Sequence, residues 1–132
     1  MSNFRAAEPT SSPLGVATLR ARLHAWLREH VVADSEMLDD CVLAANEALA
    51  NVVEHAYSDW AEPGPADISA DYDSELHCLT VIVSDSGHWH EPLPDPMKLR
   101  RRGIPLMRAI SDKIAIATTD HGTVVEMRWR TQ

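Results

Sequence analysis

One change of period divides this chain and limits what it can fold into. Up to about residue 56 the apolar residues recur every three or four positions, as on one face of an α-helix. From Ile68 they recur every two, as on one face of a strand. Val16, Leu19, Leu23, Trp26 and His30 mark a first helix, with Arg20, Arg22, Arg28 and Glu29 on its other faces. Asp34 or Ser35 can cap a second, with Glu36, Asp39 and Asp40 near its positive end. Its apolar stripe, Leu38, Val42, Ala45, Leu49, Val52 and Ala56, predicts a helix to about Ala56.

After a break from Asp59 to Pro65, Ile68, Ala70 and Tyr72 alternate with polar residues as in a half-buried strand. A turn at Asp73-Ser74-Glu75 leads to Leu76–Ser84, whose apolar and β-branched residues predict a central strand. Residues 104–112 predict a short helix, with Pro105 suited to its first turn. Two strands follow, Ile114–Thr119 and Thr123–Arg130, joined at Asp120-His121-Gly122 with glycine where a turn needs positive φ. Residues 3–8 can add a leading strand. Early helices and late antiparallel strands predict an α+β chain, a two-layer sandwich with helices on one face of a mainly antiparallel sheet.

Composition narrows the class. A length of 132 residues, 45% of them hydrophobic, suits a single domain over 1–132 with its core at about 14–130. The net charge of −8 disfavours nucleic acid and favours a basic protein partner. Cys41 and Cys78 lack metal-pair spacing and are expected to be buried small hydrophobes without a disulfide, in a reducing compartment. With no apolar run of membrane-spanning length, the expected location is the cytoplasm.

Three features can carry chemistry. Glu47, Asn51 and His55 recur every four residues, so neighbours differ by only ~40° around a helix axis, and Ala44 and Ala48 beside them leave room for a ligand. A solvated helix face explains the same row. Asp85-Ser86-Gly87 ends the central strand, where a carboxylate can accept from an amine; an ordinary strand-ending turn has the same composition. Arg100-Arg101-Arg102-Gly103 opens the short helix, and its cations and free N–H groups suit an anion. The loop before it, about 88–102, is long and proline-rich, as a flexible lid would be. A different chemistry is a zinc site at His88 and His90 completed by His55 or His121, a spacing common by chance.

In sequence, Cys41–Tyr57 resembles the N box of the histidine-kinase-like (GHKL) ATPases, specifically the serine-kinase anti-sigma factors. Asp85-Ser-Gly87 resembles their first glycine box, Arg102–Asp112 their second, and Gly122-Thr123 their closing motif. The resemblance implies a Bergerat-type ATP-binding fold. Through it, Asn51 holds Mg²⁺, Asp85 accepts from the adenine amino group, and Gly87 and Thr123 serve the same end. Gly103, Ile104 and Arg101 or Arg102 meet the phosphates, His55 stands behind them, and Glu47 is the base. It further implies a kinase that binds a sigma factor and phosphorylates a STAS-type anti-sigma-factor antagonist, in a homodimer. A module that binds nucleotide and partner without phosphoryl transfer is the alternative. Trp89 after His88, and Pro105 where the family commonly has glycine, depart from the pattern and stiffen the lid.

Overall fold

The structure, a computed structural model, describes residues 2–57, 60–87 and 103–131. Its elements are β1 (Ser2–Pro9), α1 (Pro13–His30), α2 (Ser35–Asn51), a π-helical turn (Val52–Ala56), β2 (Pro65–Asp73), β3 (Cys78–Asp85), α3 (Gly103–Ile110), β4 (Lys113–Thr119) and β5 (Gly122–Arg130). The strands form one sheet in the order β1-β2-β3-β5-β4, with every neighbouring pair antiparallel. β3 is central, as its composition predicts.

Local chemistry sets the helix starts. Ser12 accepts from the Leu14 N–H at 3.2 Å just before Pro13, and Asp34 accepts from the Met37 N–H at 2.8 Å. α1 packs on β1 and α2, and α3 packs on α2. Leu19, Leu23 and Leu27 of α1 and Ala45 and Leu49 of α2 close over Ile68, Leu79, Val81, Val83, Val125 and Met127 of the sheet in one buried cluster. Trp26 and Trp129 belong to it, and Trp129 Nε1 donates to the Ile110 carbonyl at 2.7 Å, joining β5 to the end of α3. Both cysteines are free; Cys41 is buried as expected, whereas Cys78, the first residue of β3, is only half-buried. Burial, and then the Asp40 carboxylate, pushes the Cys41 thiol up to about 12.

The structure corrects three details. The helix expected to run to Ala56 is α-helical only to Asn51 and finishes as a π turn, so the four-residue spacing does not continue to His55. Ala44 and Ala48, beside the polar row, are both fully buried, and α2 packs on α3. β3 begins at Cys78 rather than Leu76, because Asp73 accepts from the N–H groups of Glu75 and Leu76 and prolongs the turn, leaving Leu76 exposed. Gly122 is the first residue of β5 rather than part of the connection.

Candidate functional site at the end of the central strand

Alternation along β3 turns Leu79, Val81 and Val83 toward the helices, and the same period puts Asp85 on that inner face. A carboxylate therefore ends a row of core residues and is itself buried. Its Oδ1 accepts from the Gly87 N–H at 3.0 Å and the Thr123 N–H at 3.3 Å. Two N–H donors on one oxygen hold the group in place and help offset the cost of burying it. Gly122 has φ +139°, and a Cβ there would overlap the Asp85 carbonyl oxygen. Without a side chain at Gly122, β5 starts directly against the strand end that carries Asp85.

Tyr57, to which the sequence assigned no role, holds the other side of this turn. Its hydroxyl donates to the Pro65 carbonyl and accepts from the Ser86 N–H at 3.0 Å. Its ring fills the space beside Gly64 and Gly87, and Trp60 stacks edge-on against it at 4.7 Å. A Cβ on Gly87 would overlap the Ala56 carbonyl, so glycine there lets the strand end meet the π turn. Burial, and beyond it the Asp85 and Asp67 carboxylates, raise the Tyr57 phenol above its ordinary value. It stays a donor at neutral pH. The only signal in the sequence is an aromatic directly following His55-Ala56. Tyr57→Phe leaves the Ser86 N–H and Pro65 carbonyl without this partner and should cost ~1–2 kcal/mol. A thermal melt reads the effect, and an unchanged midpoint would show that water replaces both bonds.

Asn51 closes α2 and continues the buried row of Ala44 and Ala48. It is only 8% exposed, yet among the described residues its amide nitrogen has no hydrogen-bond partner, and neither has the buried Thr123 hydroxyl. Buried polar atoms are seldom left so. Glu47, half-buried one turn earlier, makes no hydrogen bond or ion pair among the described residues. His55 lies on the π turn, 3.5 Å from the Glu54 carboxylate. At α3, Gly103 and Ile104 are the first two helical residues, and Pro105 withholds one of the N–H groups that a helix start normally offers. Arg101, Arg102, Trp89 and the whole expected lid, 88–102, lie outside the described residues, as do His88 and His90 of the zinc alternative. No metal-ligating cluster occurs among the described residues.

The structure thus joins Asp85, Gly87 and Thr123 by hydrogen bonds and brings Gly87 against the π turn that follows Asn51. A family model bears on what such a joint serves. The model described as the histidine kinase-like ATPase domain matches residues 10–129.

The chain belongs to the histidine kinase-like ATPase domain family.

Solved structures agree on the fold of this ATPase domain. A chain holding the RsbU and RsbW domains of Rv1364c from Mycobacterium tuberculosis superposes with TM-score 0.76 at 22% identity, over 98% of this chain and 32% of that one. The histidine kinase domain of the Erythrobacter litoralis EL346 blue-light activated histidine kinase gives 0.57 at 18%, over 93% and 61%. A chain of the SiaB-SiaC complex from Pseudomonas aeruginosa gives 0.59 at 12%, over 96% and 88%. This chain therefore spans about a third of the first of these proteins and under two thirds of the second. No curated protein matches. Membership implies ATP binding, and the buried Asn51 amide nitrogen and Thr123 hydroxyl, both without partners among the described residues, with the buried Asp85 carboxylate, suit a polar ligand of that kind. Among the described residues, no helix is long and apolar enough to cross a membrane.

Proposed function

We propose that this ATPase domain is an anti-sigma regulatory factor with ATP-dependent serine/threonine kinase activity, which binds a sigma factor and phosphorylates a STAS-type anti-sigma-factor antagonist. The observation that carries the nucleotide part is the joint of Asp85 with the Gly87 and Thr123 N–H groups, beside a π turn that opens on a buried Asn51. The regulatory part is supported by the four boxes in order along the chain and by the likeness to a chain with an RsbW domain. The SiaB-SiaC likeness supports an antagonist protein as partner. A homodimer in the cytoplasm completes the reading.

In this reading Asp85 accepts from the adenine amino group, Gly87 admits the base edge, and the Thr123 hydroxyl gains a partner that it lacks among the described residues. The Asn51 amide oxygen holds Mg²⁺, a hard ion that prefers oxygen ligands. The N–H groups of Gly103 and Ile104 meet the phosphates, with Arg101 or Arg102 beside them. His55 supports the Asn51 end. Magnesium–ATP supplies the transferable phosphoryl group. Glu47 orients the attacking serine hydroxyl and takes its proton as the oxygen–phosphorus bond forms and the bond to ADP breaks.

Calorimetric titration with Mg²⁺–ATP tests the nucleotide part. The parent protein should bind, and Asp85→Asn, which replaces an acceptor by a donor, should lose roughly tenfold to a hundredfold in affinity, the range of a hydrogen bond to a charged group. Asn51→Ala should weaken binding in Mg²⁺ and change little in EDTA. A parent that takes up no nucleotide, alone or with a partner present, would remove the proposal.

A further inference from the structure

We propose that the free edge of β4 is a docking site for an extended acidic segment of a partner protein, which adds to the sheet as a sixth strand.

The two edges of this sheet are built differently. β1, at one edge, carries Arg5, Glu8 and Pro9, the charges and proline that discourage another chain from pairing. β4, at the other, reads Lys-Ile-Ala-Ile-Ala-Thr-Thr, and after Lys113 it has neither charge nor proline. It pairs with β5 on one side and with no strand on the other among the described residues. Most of the strand is exposed, Ile116 to 36%. Its backbone donors and acceptors are an open template.

The charge around this edge runs against the charge of the chain. In a protein of net charge −8, half of the lysines and arginines among the described residues, Arg108, Lys113, Arg128 and Arg130, surround the start of β4, and the other half, Arg5, Arg20, Arg22 and Arg28, lie on β1 and α1. Arg108, Lys113 and Arg128 line a groove of about 550 Å³ with Ile114, Ala115 and Glu126. Lys113, Arg128 and Arg130 also border an adjoining groove of about 430 Å³. Two acids temper the patch without cancelling it. Glu126 lies 3.5 Å from Arg128 in an exposed pair of little strength, and Asp112 turns a carboxylate oxygen to the Arg130 N–H at 2.6 Å.

Strand geometry converts these facts into a ligand pattern. Lys113 and Ala115 lie on the outer face with Arg128 and Glu126 opposite, while Ile114 and Ile116 lie on the inner face with Met127 and Val125 opposite. An added strand alternates in the same way, so it would set carboxylates beside Lys113 and Arg128 and apolar side chains beside Ile114 and Ile116. A second copy of this chain would instead bring two basic rims together. The patch lies where β3 begins and β5 ends, the opposite end of those strands from Asp85 and Thr123, so docking here does not depend on the nucleotide reading.

A fluorescent peptide of eight alternating Glu and Val residues is the probe, titrated into the full chain at low salt. It should bind, and Lys113→Glu with Arg128→Glu should lower affinity by about tenfold or more while Arg5→Glu at the far edge leaves it unchanged. Amide exchange should slow along β4 when the peptide is present, and circular dichroism of the double variant guards against misfolding. Absence of binding, binding without protection of β4, equal affinity for polyglutamate, or a dimer of the free chain joined through β4 would each overturn the proposal.

Discussion

Gly122→Ala should lower stability by ~3 kcal/mol, which for a chain of this size is a fall of roughly 10 °C in the melting midpoint. Two independent costs meet at this residue. Its φ of +139° is a conformation that side chains rarely adopt, and a Cβ there would overlap the Asp85 carbonyl, backbone that cannot rotate away. Relief requires β5 to move from the end of β3, which stretches the 3.3 Å bond from the Thr123 N–H to Asp85. The same substitution should therefore weaken Mg²⁺–ATP binding beyond what stability alone explains. His121→Ala, one residue earlier and exposed, is the control and should melt within about 2 °C of the parent. A Gly122→Ala protein that melts with that control would show that the strand start accommodates a side chain.

Glu47→Gln should reduce phosphoryl transfer to an antagonist by roughly 10²–10⁴-fold, the usual contribution of a positioned general base. The amide keeps the shape and cannot take a proton. Glu47 is half-buried and makes no hydrogen bond or ion pair among the described residues, so its loss should leave the melting midpoint nearly unchanged. Nucleotide affinity should hold within about threefold, because Glu47 is assigned to the attacking hydroxyl and not to ATP. Radiolabelled phosphate followed from ATP to the antagonist, beside a calorimetric titration of the same variant, separates the outcomes. Retained transfer would take the base role from Glu47. A parent that binds ATP and partner yet moves no phosphate would favour the module that sequesters its partner without chemistry.

Periodicity was readable in the sequence wherever one face of an element is buried. The stripe through Leu38, Ala45, Leu49 and Val52 and the alternation through Leu79, Val81 and Val83 both lie in the core where their spacing places them. The candidate residues were legible as types at strand ends and helix starts, because Asp, Gly and Thr at such places have local reasons to occur. What their neighbours are was not legible. That Ala44 and Ala48 are fully buried, and that the Tyr57 hydroxyl stands between Pro65 and Ser86, follows only from elements that meet in the fold. The π turn was hidden for the same reason. The apolar period through Val52 and Ala56 continues the α-helix, and the meeting of the Ala56 carbonyl with Gly87 involves two residues 31 positions apart.

By itself, then, the sequence determined the α+β order of elements, the identity of the central strand, and the parity that turns Asp85 inward, since each depends on residues within a few positions of one another. Only the tertiary structure decided that Asp85 is held by Gly87 and Thr123, that Gly122 must lack a side chain, and, among the described residues, that Asn51 and Thr123 carry buried polar atoms without partners and that β4 presents an open basic edge. These depend on distances between segments far apart in the chain, which the packing of the helices on the sheet sets and no local pattern records.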